Sequence, residues 1–220
     1  MTDKGLVHII DDDEAVRAGL GTLIRSAGNE TKLYDSPDAF MASELPAVPS
    51  CLLLDVRLPG TGTNGLDFQA SLQKVGIFLP VIFVTGHGDI QMSVRGMKAG
   101  AIDFLTKPLR SQDVLDAVDA ALARDRKRRV EEVAISAIRQ RYETLTARER
   151  QVIALVTSGK MNKQVAAEIG ISEVSVKVHR HNATKKLDAK TLTDLMRMAD
   201  AVGLHRTSGK KDAPASKPQA

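Results

Sequence analysis

A single cysteine, Cys51, stands in the 220 residues of this chain. Without a partner it can build neither a disulfide framework nor a cysteine zinc site, and its place at the head of the apolar run CLLLD reads as a buried structural thiol. Apolar runs of membrane-spanning length are missing. The opening stretch, MTDKGLVHII, has neither a basic leader nor a small-residue cleavage site, so a cytoplasmic protein without membrane contact is expected. No internal repeat is found.

What is present is a globular composition, 43% hydrophobic, in a chain long enough for two domains. The net charge of +4 conceals an asymmetry: residues 1–122 hold 10 Lys and Arg against 16 Asp and Glu, whereas residues 123–220 hold 21 against 11. An acidic half and a basic half imply two tasks, the second of them contact with a polyanion.

The acidic half alternates short β-rich runs with helical periods. LVHII (6–10), TKLY (31–34), CLLLD (51–55), VIFV (81–84) and AIDFL (101–105) are strand candidates. Val16, Leu20, Leu23, Ile24 and Ala27 recur at helical spacing between the first two, and Ser36-Pro37-Asp38 supplies a serine cap and first-turn proline for the next helix. This alternation predicts an α/β doubly wound parallel five-stranded sheet, and unbroken CLLL fits a central strand buried on both faces. Residues 123–144 read as a charged helical linker with a narrow stripe of Val130, Val133, Ala134, Ala137, Ile138 and Tyr142. Beyond it, Thr146 and Glu149 form a capping box, opening an all-α unit with helices near 147–158, 162–169, 173–187 and 191–202. The tail from 207 to 220, rich in Pro, Ser and Lys, reads as disordered.

Ligand sites of open parallel sheets lie beyond the carboxyl ends of the strands. With strand order 2-1-3-4-5, one common doubly wound arrangement, Asp11, Asp12, Asp55, Thr85 and Lys107 would converge there. Grouped carboxylates stay ionised only if a cation offsets their repulsion, and Mg²⁺ suits a few carboxylates plus water. Phosphoryl transfer fits the set: Asp55 as an already ionised nucleophile, with Lys107 and the Thr85 hydroxyl holding phosphoryl oxygens beside the metal.

Together IIDDDEAVR, LLLDVRLPG, VIFVTGHGD and MKAGAIDFLTKP resemble the receiver domains of two-component response regulators, over residues 4–122. The resemblance implies a flavodoxin-like fold and a sensor histidine kinase as phosphodonor to Asp55. It makes Asp12 a direct metal ligand, with Asp11 acting largely through water and the Arg57 backbone carbonyl completing the Mg²⁺ site. It also assigns Phe104 as the aromatic side chain that turns inward on activation. One departure is TGTNGLDF, about two residues longer than the usual loop after Pro-Gly, so metal geometry and phosphate lifetime are open there.

In the basic half, MNKQVAAEIGISEVSVKVHRHNATKKL has helix-turn-helix spacing: Val165, Ala166 and Ile169 face inward, Gly170 turns, and Ser172 caps a second helix. Lys177, His181 and Thr184 share a face that can enter a major groove, Val178 can touch a thymine methyl, and Lys163, His179, Arg180 and Lys185 suit backbone phosphates. The segment, taken as 145–206, resembles the LuxR-type DNA-binding domain, and the whole chain resembles the NarL/FixJ class of response regulators. That class implies base-facing positions at Lys177, Val178 and His181, where histidine replaces a more usual Lys or Arg.

The expected function is a phosphorylation-activated transcriptional regulator that dimerises and binds double-stranded DNA, with RNA polymerase a further partner, and no enzyme beyond its own phosphoryl transfer and hydrolysis. Two alternatives stand beside it. A Mg²⁺-dependent phosphatase of the haloacid dehalogenase type also uses a strand-end aspartate, but needs a second acid where Arg57 stands. A DNA-binding regulator switched by protein contact without phosphate would not need the Asp55, Thr85 and Lys107 set.

Overall fold

A computed structural model of the chain describes residues 4–58, 64–86 and 90–204. The lengthened loop after Gly60, the His87-Gly88 part of the turn after Thr85 and the tail from 207 lie outside the described residues. The chain divides into two compact units, Met1–Val130 and Glu131–Ala220.

In the first unit the strands are β1 (Leu6–Ile10), β2 (Glu30–Tyr34), β3 (Ser50–Asp55), β4 (Val81–Thr85) and β5 (Asp103–Thr106). They form one parallel sheet in the order β2-β1-β3-β4-β5, as expected. Register places Ile10 opposite both Tyr34 and Leu54, and Thr85 opposite Thr106, so the carboxyl ends of the strands lie together along one edge. Because successive strand residues point to opposite faces, β1, β3 and β4 divide between two cores. Val7, Ile9, Cys51, Leu53, Ile82 and Val84 pack with helices α1 (Glu14–Ser26) and α5 (Ser111–Glu143), whereas Ile10, Leu52, Leu54, Val81 and Phe83 pack with α2 (Pro37–Met41) and α3 (Gly65–Lys74). Burial on both faces is why these strands are apolar without alternation.

Local chemistry sets the element ends. Asp13 caps α1, its Oδ1 accepting from the Ala15 and Val16 amides at 2.8 and 3.1 Å, and Ser36 caps α2 ahead of Pro37. Strand β5 begins at Asp103, two residues beyond the Ala101 start read from the sequence. Helix α4 (Ile90–Lys98) ends through Gly100 at φ +89°, and the Ala101 amide still closes that end by donating to Gly96 O at 3.1 Å.

Helix α5 does not break at residue 123: it runs unbroken from Ser111 to Glu143. Its buried side chains are Val114, Ala117, Val118, Ala121, Leu122 and Asp125. The second unit contains α6 (Ala147–Thr157), α7 (Asn162–Ile169), α8 (Glu173–Leu187) and α9 (Leu192–Ala201), close to the expected spans. Thr146 and Glu149 form the anticipated capping box on α6, Gly170 makes the α7–α8 turn at φ +67°, and Ser172 caps α8. Val176, Ala183 and Leu187 are the buried side of α8.

Candidate functional site

At the carboxyl edge of the sheet, Asp11 and Asp12 follow β1, Asp55 ends β3, Thr85 ends β4 and Lys107 follows β5. Asp11, Asp12 and Asp55 each offer a carboxylate oxygen within 4.8 Å of the others. Asp11 and Asp55 are buried and Asp12 is exposed. The Lys107 ammonium bridges the two buried acids, donating to Asp11 Oδ2 at 2.8 Å and Asp55 Oδ2 at 2.7 Å.

Burial drives the Asp11 carboxyl above its ordinary range, Asp55 adds to the rise, and the bonds from Lys107 and the Asp13 amide offset part of it. Burial alone would lower the Lys107 ammonium, but its bonds to Asp11 and Asp55 outweigh this and raise it. Three acids around one ammonium leave excess negative charge in a partly dry site. All-oxygen donors at this spacing with one open, solvent-facing acid fit a hard divalent cation such as Mg²⁺. The other oxygen of Asp55, Oδ1, accepts from the Arg57 amide at 2.8 Å.

Thr85 is 1% exposed at its strand end, and Phe104 is half-buried, its ring tilted against Phe83 at 5.9 Å between centroids. Arg57, named for its carbonyl, is exposed. Two neighbours escaped the sequence reading. Arg17 on α1 donates from Nη1 to the Asp11 carbonyl. Gly65, the first residue of α3, lies so close that a Cβ there would sit 2.6 Å from the Asp55 carbonyl oxygen. The Gly in NGLDF was the available signal for such a close approach.

In the second unit Lys177, Val178, His181 and Lys185 are exposed on α8, and Lys163 is exposed on α7. Val178 keeps 52% of its surface free. His179 and Arg180 are half-buried, and Arg180 Nη1 donates to Asn162 Oδ1 at 3.4 Å, tying α8 to the start of α7. Glu149 is 4% exposed and accepts at Oε2 from Lys186 Nζ and from the Thr146 amide, both at 2.8 Å, fastening α8 to α6. Lys186 is thus structural, a role not visible in the run KKL.

Both halves match family models, residues 7–119 the response regulator receiver domain and residues 143–199 the bacterial regulatory proteins of the luxR family. The chain belongs to the two-component response regulators. It resembles nodulation protein W of Bradyrhizobium diazoefficiens, 48% identical over 91% of this chain and 88% of that protein. Response regulator protein TodT of Pseudomonas putida is 41% identical over 91% of this chain and 88% of its own length. Among solved structures, response regulator StyR superposes with a TM-score of 0.73 at 43% identity, covering 90% of this chain and 99% of that one. The regulator is therefore a transcription factor with a LuxR-type DNA-binding domain and not an enzyme in the ordinary sense, which removes the phosphatase alternative. Its acidic triad, Asp11, Asp12 and Asp55, is a typical receiver Mg²⁺ site. Among the described residues no helix is long and apolar enough to cross a membrane.

Proposed function

We propose that the regulator is a cytoplasmic switch in which Asp55 accepts a phosphoryl group from a histidine of a sensor kinase, and that this drives dimerisation and sequence-specific DNA binding. The observation that carries the reading is the Lys107 ammonium bridging Asp11 and Asp55 beside a third carboxylate. An Asp55 oxygen attacks phosphorus, a P–O bond forms and the P–N bond to the donor histidine breaks. The nucleophile needs no general base because it is already ionised. Mg²⁺, held by Asp11, Asp12, Asp55 and the Arg57 carbonyl, would supply charge neutralisation for the phosphoryl oxygens.

Lys107 then exchanges a carboxylate oxygen of Asp55 for a phosphoryl oxygen, and the Thr85 hydroxyl moves toward another. Phe104 turns inward behind Thr85, and the face built from residues 89–122 pairs with a second copy. On DNA, Lys177, Val178 and His181 face bases, while Lys163, His179, Arg180 and Lys185 hold phosphates; two-fold pairing presents two α8 helices to related half-sites. RNA polymerase is the partner such a factor would address.

Treatment of the full chain with acetyl phosphate and Mg²⁺, followed by peptide mapping, tests the phosphoryl step. The expected result is a stable adduct on Asp55 and none on Asp55→Asn. No adduct on the wild type, or an equal one on the variant, would favour a receiver switched by protein contact.

A further inference from the structure

The buried stripe of α5 ends in a carboxylate. Asp125 has no exposed surface, although it lies in the run RDRKRR. A carboxylate removed from water must find its donors within the protein, and Asp125 has four. Oδ2 accepts from the Ser50 backbone amide at 2.9 Å and from Arg129 Nε at 2.7 Å. Oδ1 accepts from Arg128 Nε at 2.9 Å and Nη2 at 2.6 Å.

The two arginines are on the same helix and neutralise the charge; the Ser50 amide is the donor that crosses to another element. Ser50 is the first residue of β3, the strand that ends in Asp55. After Asp125 the helix carries no further buried residue, and Val130 and Val133 are 70% and 71% exposed. Asp125 is thus the last buried residue of α5, and its Ser50 bond ties the end of the buried stripe to β3. The contacts that precede it, Ala121 and Leu122 against the sheet, are apolar and non-directional. A charge-assisted bond fixes orientation as well as distance.

We propose that Asp125 is an anchor that sets the position and rotation of α5 where it leaves the receiver unit, so that rearrangement of that unit is passed to the DNA-binding unit instead of being lost in slippage of the helix. It is a positioning residue with no part in phosphoryl transfer. The inference rests on the phosphorylation-switched reading above.

The test is the ratio of DNA affinities with and without acetyl phosphate and Mg²⁺, on a duplex selected from a random pool by the phosphorylated wild-type chain. Asp125→Ala deletes the acceptor; Ser50→Pro deletes the crossing donor at the strand's first residue, where proline is tolerated, together with the hydroxyl bond to Val48 O at 2.8 Å, and Ser50→Ala, which loses that hydroxyl but keeps the amide, is its control. The first two are expected to take up phosphate on Asp55 at the wild-type rate while the phosphate-dependent gain in affinity shrinks about tenfold. A purely structural role would lower the denaturation midpoint and leave the ratio intact. If either of these two variants, folded and phosphorylated, keeps the full gain, the anchor is wrong and the switch reading stands. If the wild type itself shows no gain, the switch reading falls and the anchor with it.

Discussion

His8 gives the sharpest quantitative test of the fold around the site. It interrupts the apolar run of β1, is 0% exposed, and lies stacked on Tyr34 and edge-on to Phe40. Its Nδ1 meets the Tyr34 hydroxyl at 3.1 Å, whereas Nε2 has no partner. Burial, followed by the nearby Lys32 charge, pushes its pKa down from 6.5 to about 4. The neutral ring is therefore the folded form. Its contribution to stability is complete above pH 6.5 and is lost as pH falls from 6.5 toward 4, because the unfolded chain takes up a proton that the folded one refuses. At about 1.4 kcal/mol per tenfold change in proton affinity, the full loss is ~3 kcal/mol, and most of it is reached by about pH 4.5. His8→Phe keeps a ring and removes both nitrogens, and the Tyr34 hydroxyl retains Ser43 Oγ at 3.0 Å. Urea denaturation of both proteins from about pH 8 to 4.5 should show similar stabilities at neutral pH and the variant more stable by ~2.5 kcal/mol at the acid end. Other acid-sensitive groups are common to both proteins and cancel. Parallel stability curves across this range would refute a buried neutral His8.

Gly65→Ala forces a Cβ against the Asp55 carbonyl, so phosphate uptake measured with acetyl phosphate should slow and urea stability should fall by about 1–3 kcal/mol. Glu149→Ala removes the carboxylate half of the α6 capping box and the ion-pair partner of Lys186; calorimetry should show the second unit destabilised by roughly 2 kcal/mol, with phosphorylation of Asp55 unchanged. Titrations against specific and scrambled duplexes separate the two kinds of DNA contact. Lys177→Ala should cost about 1–3 kcal/mol on the specific duplex alone, whereas Lys163→Ala should weaken both and reduce the salt slope by about 1.

The parts of the fold legible in the sequence are those set by local pattern. CLLLD reads as a doubly buried strand because every residue in it is apolar until Asp55, and Ser36 reads as a cap because a first-turn proline follows it. The convergence of Asp11, Asp55 and Lys107 could be reasoned from strand ends once an order was assumed, since a parallel sheet gathers its carboxyl termini on one edge. The double bond from Lys107 to both acids could not, because it depends on distances between residues 52 and 96 positions apart. His8 was hidden because a lone polar residue in an apolar strand gives no sign of its orientation partner. Asp125 was masked by the charges around it, although its i+4 spacing from Ala121 placed it in phase with the buried stripe. Strand β5 starts late because the Gly100 turn, and not the apolar run, decides where α4 ends.

The central claim is that phosphate on Asp55 controls DNA binding. Footprinting of the wild-type chain on its selected duplex, with and without acetyl phosphate and Mg²⁺ and beside Asp55→Asn, tests it most directly. The account predicts a phosphate-dependent gain in specific protection that the variant lacks. Equal protection of the duplex in all three samples would contradict it.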